Sequence, residues 1–186
     1  MYKRQDPEVR EESLAFLDRG IAALDRIVTS TLTLYRADED RPFMRTDLED
    51  LGHLARPAAE RRGIALVLSL DLPEGELAPG AGGVRQVLLN LLLNACEATP
   101  SGGTVELRAY REGVDLICEI ADAGPGLDPA QAERLTAGGA GTAARKGLGL
   151  GVVVGLLGTL DARASVTERP GGGTTIRLAI PAGARA

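Results

Sequence analysis

Histidine occurs once in this 186-residue chain, cysteine twice, phenylalanine twice and tryptophan not at all. A single His leaves no room for a His-based metal site or a Ser-His-Asp triad. Cys96 and Cys118 offer neither a disulfide framework nor metal-ligand spacing, and read as reduced thiols in a buried core. Long hydrophobic runs are also missing. The longest weakly charged stretch, residues 147–160, is shorter than the roughly 20 residues that span a bilayer and carries five glycines. No basic region followed by an apolar run marks the N-terminus as a secretory signal. The net charge of -5 is spread over mixed acidic and basic residues, without the Lys/Arg cluster that neutralises nucleic-acid phosphates. These absences point to a cytoplasmic protein with no membrane segment and no nucleic-acid partner. Its chemistry has to rest on Asp, Asn, Gly and Lys.

What is present falls into two parts, residues 1–40 and 41–186. Between Pro7 and Arg36 apolar residues recur at Leu14, Leu17, Ile21, Leu24, Val28, Thr31 and Tyr35, in steps of three and four. That is a heptad seam, and with charges between its members it predicts one long helix suited to a partner helix. Pro42 blocks its continuation. Thr46 and Asp47 then offer an N-cap for a helix over 48–62, which Gly63 ends. Residues 64–70 predict a strand, the Pro/Gly-rich stretch 71–83 a loop, and 84–98 a largely buried helix. Two hairpins are expected, 104–110 with 114–121 and 164–168 with 174–180, and one more helix over 149–160 lies between them. Blocks of helices and antiparallel strand pairs predict a mixed, mainly antiparallel sheet with helices on one face.

Three features could carry chemistry. Asn90 and Asn94, four residues apart, project from one helix face, and their amide oxygens are hard neutral ligands suited to Mg²⁺, although such a pair taken alone is more often merely solvated polar positions. Asp122, directly after a strand, is followed by Gly124 and Gly126. Such a carboxylate can accept a hydrogen bond from an exocyclic amine, or simply make an Asx turn. Lys146, Gly147, Gly149 and Gly151 run into the last helix, where glycine backbone at a helix N-terminus suits a phosphate; the glycines could instead serve close packing alone. This stretch is neither a Rossmann fingerprint nor a Walker A loop, since no strand precedes it and Lys146 comes before the glycines.

In this order, the Asn helix, Asp-x-Gly-x-Gly and Gly-x-Gly-x-Gly, over about residues 47–181, the chain resembles the ATP-binding domain of histidine kinases, DNA gyrase, mismatch-repair ATPases and ninety-kilodalton heat-shock chaperones. The resemblance implies the Bergerat-type α/β sandwich, preceded here by the long N-terminal helix. It also implies ATP and Mg²⁺ as cofactors. Asn94 would bind the metal with Asn90 nearby, and Asp122 the adenine amine. Gly124 and Gly126 would shape the adenine pocket, Thr174 would reach the base through water, and Lys146, Gly147, Gly149 and Gly151 would hold the phosphates. Residues 127–146 would form a lid closing over the nucleotide.

Hydrolytic members resemble one another in carrying a glutamate general base one turn before the metal-binding Asn. Asn90 stands at that position, which favours phosphoryl donation over attack by water. Residues 24–36 look like the second helix of a histidine-kinase dimerisation hairpin. The first helix, with its phosphoacceptor His, would lie ahead of a chain cut short; His53 reads as a partly exposed structural residue. Glu97 stands where many histidine kinases carry a basic residue, and the lid has no Phe. The expected function is the catalytic ATP-binding module of a two-component sensor histidine kinase. It would pass the γ-phosphoryl group to a histidine absent from this chain and onward to the receiver domain of a response regulator, within a homodimer formed through the N-terminal helix. A degenerate, non-catalytic nucleotide-binding or dimerisation module and an anti-sigma-factor-like serine kinase are the alternatives.

Overall fold

The computed structural model describes residues 41–137 and 148–182. The heptad helix expected in residues 7–36 lies outside them. So do Lys146, Gly147 and the second half of the expected lid.

The described residues open with a two-residue strand, β1 (Phe43–Met44), and a helix, α1 (Arg45–Arg61). Helix α1 starts three residues earlier than the Thr46/Asp47 cap predicts. Met44 holds the N-cap position, while Asp47, in the first turn, reaches back to accept the Met44 N–H at 2.8 Å. That acceptance satisfies a donor that the helix leaves orphaned, which is why Asp47 works one turn inside the helix rather than before it. Leu48, Leu51, Ala55 and Ala59 form the buried stripe. Pro57 is tolerated because it lies on the exposed side, where the carbonyl it leaves unbonded can meet water. Gly63 ends the helix with φ 64°, its N–H donating to the Glu60 carbonyl at 3.0 Å.

Strand β2 (Ala65–Asp71) follows, and then β3 (Glu76–Ala78), which pairs antiparallel with β1. Both members of this small sheet fall in stretches read from sequence as connection or loop, because two or three residues show no period. Helix α2 (Ala81–Ala98) begins three residues before the expected position. The hairpin β4 (Thr104–Glu112) and β5 (Asp115–Ala121) comes next, then the short helix α3 (Pro129–Thr136), inside the stretch read as lid. Asp128 caps α3, accepting the Ala130 N–H at 2.8 Å, and Pro129 occupies the first turn, where its missing N–H costs nothing. Helix α4 (Leu148–Thr159) and the hairpin β6 (Arg163–Glu168) and β7 (Thr174–Pro181) complete the order.

The main sheet runs β2-β4-β5-β7-β6, with β2 and β4 parallel and every other pair antiparallel. This is the mixed sheet that the blocks of strands predict. Alternation sorts its faces. Val105, Leu107, Ala109, Leu116, Cys118, Ile120, Ile176, Leu178 and Ile180 are buried and join the core supplied by the helices, in which α2 packs between α1 and α4. The other face carries a charge ladder: Glu119 accepts from the Tyr110 hydroxyl at 2.9 Å and lies 3.7 Å from Arg177, and the Arg108 guanidinium stacks 4.8 Å from the Tyr110 ring. Because α2 has neighbours on both flanks and the sheet beneath, twelve of its eighteen residues are buried. It is the element whose placement most constrains everything attached to it.

Candidate functional site

Strands β5 and β7 are neighbours, so the residue leaving β5 meets the residue entering β7. Asp122 and Thr174, 52 positions apart, thereby come together. The Asp122 N–H donates to the Thr174 carbonyl at 2.9 Å, and Asp122 Oδ1 accepts the N–H groups of Gly124 at 2.7 Å and Thr174 at 3.3 Å. Asp122 is 7% exposed and Thr174 2%. Both side-chain bonds of Asp122 fall on Oδ1, and among the described residues Oδ2 accepts none. In a residue so little exposed, that oxygen retains acceptor capacity. It can accept from a further donor, an amino group on a bound base among them.

The loop after Asp122 is seated on the C-terminal end of α2. Thr99, fully buried, donates its hydroxyl to the Ala95 carbonyl at 2.8 Å and receives the Ala123 N–H at 3.3 Å. Gly124 lies so close that a methyl there would stand 2.9 Å from both Cβ and the carbonyl oxygen of Ala98. Gly173, at φ 100°, backs onto the Asp122 carbonyl, where a methyl would collide with main-chain oxygen. That same carbonyl accepts from Arg169 Nη1 at 3.0 Å. Gly126 has φ 93° and open space around it, so its requirement is conformational rather than steric.

Helix α2 also carries the two asparagines. Asn90 is 4% exposed and donates its amide to the Gln86 carbonyl at 2.9 Å, whereas Asn94 is half-buried. Gly149 and Gly151 lie in the first turns of α4, which packs on α2. The expected adenine, metal and phosphate residues that are described therefore lie on four elements: the loop after β5, the start of β7, helix α2 and helix α4. Neither cysteine takes part. Burial pushes the Cys96 thiol up to about 11, with the Glu97 charge adding to it, and the Cys118 thiol up to about 12, so both stay protonated and inert at neutral pH. His53 is exposed on α1. Thr99 and Arg169 escaped the sequence reading; the only hint of Thr99 was a polar residue directly before the helix-ending Pro100, and for Arg169 there was none.

Residues 81–184 match the family described as histidine kinase-, DNA gyrase B-, and HSP90-like ATPase, and the chain belongs to that family. It is a catalytic ATP-binding domain of the kind found in sensor histidine kinases. The histidine protein kinase DivJ of Caulobacter vibrioides is 39% identical over 120 residues, which cover 59% of this chain and 20% of that protein. The probable sensor histidine kinase TcrY of Mycobacterium tuberculosis is 30% identical over 178 residues, 89% of this chain and 37% of that protein. Among solved structures, full-length ShkA in complex with AMPPNP matches with a TM-score of 0.62 and 26% identity, covering 99% of this chain and 41% of that one. The chain spans about a fifth of the length of the first of these kinases and somewhat over a third of the second. Among the described residues no helix is long and apolar enough to cross a membrane.

Proposed function

We propose that residues 41–186 form the ATP·Mg²⁺-binding module of a two-component sensor histidine kinase, preceded in residues 1–40 by part of a dimerisation helix. The module would work in the cytoplasm, donating the γ-phosphoryl group to a histidine outside this chain, from which it passes to a response-regulator receiver domain. The observation that carries this reading is Asp122: a buried carboxylate with one oxygen committed to the loop and the other without a donor. It suits the adenine amine, and the Gly124 and Thr174 N–H groups that bind its other oxygen, with Gly126 next in the loop, support that reading. Asn94, a neutral oxygen ligand on α2, fits Mg²⁺ as one ligand among phosphate oxygens and waters. Magnesium, when bound, supplies charge neutralisation on the phosphates. Gly149 and Gly151 at the start of α4, with Lys146 and Gly147 before them, are the residues to hold those phosphates.

Asn90 argues for transfer over hydrolysis. An amide cannot take a proton from water, and this one is buried and already donating to the Gln86 carbonyl. The module therefore offers positioning of the nucleotide without activation of water.

Calorimetric titration with a non-hydrolysable ATP analogue, with and without Mg²⁺, tests the reading. Asp122→Asn keeps an oxygen for Gly124 and Thr174 but turns an NH₂ toward the adenine amine, donor against donor, and is expected to weaken binding roughly a hundredfold. Asn94→Ala should keep Mg²⁺-free binding and lose most of the gain that Mg²⁺ brings. No binding by the wild-type chain, or an Asp122→Asn variant that binds like it, would defeat the proposal.

A further inference from the structure

Asp47 is 2% exposed and sits in the first turn of α1, yet its partners lie mostly elsewhere. Arg41, which precedes β1, grips it with both terminal nitrogens, Nη1 to Oδ2 at 2.8 Å and Nη2 to Oδ1 at 2.6 Å. Arg85 on α2, its side chain 10% exposed, donates Nη1 to the same Oδ1. One carboxylate thus joins the leading chain, α1 and α2. A second contact reinforces the junction. Helix α2 begins at Gly80, in the left-handed region at φ 71° and without a side-chain cap, and the Ala81 N–H is satisfied by the Arg41 carbonyl at 3.1 Å. Arg41 therefore holds α2 twice: through its carbonyl at the first turn, and through its guanidinium by way of Asp47 and Arg85. The next residue after Arg85 is Gln86, whose carbonyl holds the Asn90 amide, and Asn94 follows one turn later on the same rigid helix.

We infer that Arg41 is a latch between the chain leading into the domain and the helix that carries Asn90 and Asn94, so that displacement of the leading chain changes how the nucleotide site presents its metal ligand. Arg41 is a positioning residue and touches no nucleotide. The inference rests on the nucleotide reading for its consequence, not for its geometry. Planar bidentate pairing makes the latch directional, since only an arginine held in one orientation satisfies both carboxylate oxygens at once. Losing the guanidinium leaves Asp47 to Arg85 and the Met44 N–H, while displacement of the leading chain would also take the Arg41 carbonyl away from the Ala81 N–H.

The test uses the full chain with Arg41→Gln and Arg41→Lys, read in two ways. In the nucleotide-free protein, amide hydrogen exchange over the first turns of α2 is expected to quicken about tenfold in Arg41→Gln and less in Arg41→Lys, which keeps the charge but not the fork. In titrations with the ATP analogue, the Mg²⁺-dependent gain in affinity should fall about tenfold while Mg²⁺-free binding changes little. A merely structural role would lower both affinities together. Unchanged exchange in α2, or an unchanged Mg²⁺ gain, overturns the latch. If Arg41→Gln fails to fold, Arg41→Lys carries the same two readouts. A wild-type chain that binds no nucleotide removes the nucleotide reading alone, and the exchange measurement still decides whether Arg41 holds α2.

Discussion

Glycines cluster in two regions of this chain, and a methyl group added in each meets opposite surroundings. Around Asp122 it would strike structure: at Gly124 it stands 2.9 Å from the Ala98 carbonyl oxygen, and at Gly173 it collides with the Asp122 carbonyl. In α4, leaving aside the helix's own backbone, no atom of the described residues lies within 4 Å of a methyl built at Gly151 or Gly155. The first group is there because the chain passes close to other backbone. At Gly151 and Gly155 no described neighbour requires a glycine, and each leaves the helix weaker than Ala would by up to about 1 kcal/mol. A helix that gives up stability without a packing reason, next to a site proposed for phosphates, is consistent with backbone kept bare for a ligand at its N-terminal end. Farther along, at Gly155, the structure holds no explanation for the glycine.

The comparison can be broken or sharpened by substitution. Gly173→Ala combines a positive φ with a main-chain collision, and is expected to cost about 3 kcal/mol or more and to abolish analogue binding, as denaturant unfolding and calorimetry would show. Gly124→Ala keeps an ordinary φ but presses on Ala98, so a loss of about 2 kcal/mol is expected, with weakened binding because the loop that orients Asp122 is pushed off α2. If either variant melts like the wild type, steric necessity is not what these glycines serve.

Acid probes a third place, the Asp47 junction. Burial raises the Asp47 carboxyl, but the hydrogen bonds from Arg41, Met44 and Arg85 outweigh it and hold the group below the ordinary carboxylate range. A carboxyl lowered in the folded state stabilises fully above its unfolded value of about 3.9, and loses that contribution as pH falls through the folded value. Thermal melts taken from pH 5 downward are therefore expected to show a progressive loss that Asp47→Asn removes. Smallest of all, Gly155→Ala should stabilise by about 0.5–1 kcal/mol and leave binding alone. Gly151→Ala is expected to stabilise similarly but to weaken analogue binding several-fold if bare backbone there approaches a phosphate, and equal binding by the two variants would erase the distinction.

How far the sequence was legible follows the range of the forces involved. Periodicity placed α1, α2, α4 and all five strands of the main sheet within a few residues, because amphipathic stripes and alternation are local consequences of burial. It missed the β1–β3 pair, whose members are too short to show a period, and it placed Asp47 before its helix because Thr-Asp is equally a cap and a first-turn pair until the partners are known. At the site, Asp122, Gly124 and the two asparagines were visible as types in order. Thr99 and Arg169 were not, since each matters only through a neighbour brought in by folding.

The amino-acid sequence by itself determined the three long helices and the five strands of the main sheet, and that this chain carries the ordered Asn, Asp-x-Gly-x-Gly and glycine-rich features of the ATPase family. Local backbone preference and side-chain chemistry suffice for that. Only the tertiary structure decided that Thr174, with Gly173 beside it, closes on Asp122 from 52 positions away, and that one buried carboxylate gathers Arg41 and Arg85 from separate segments. Such junctions exist because a buried charge must find its partners wherever the packed core brings them, and no local pattern records where that will be.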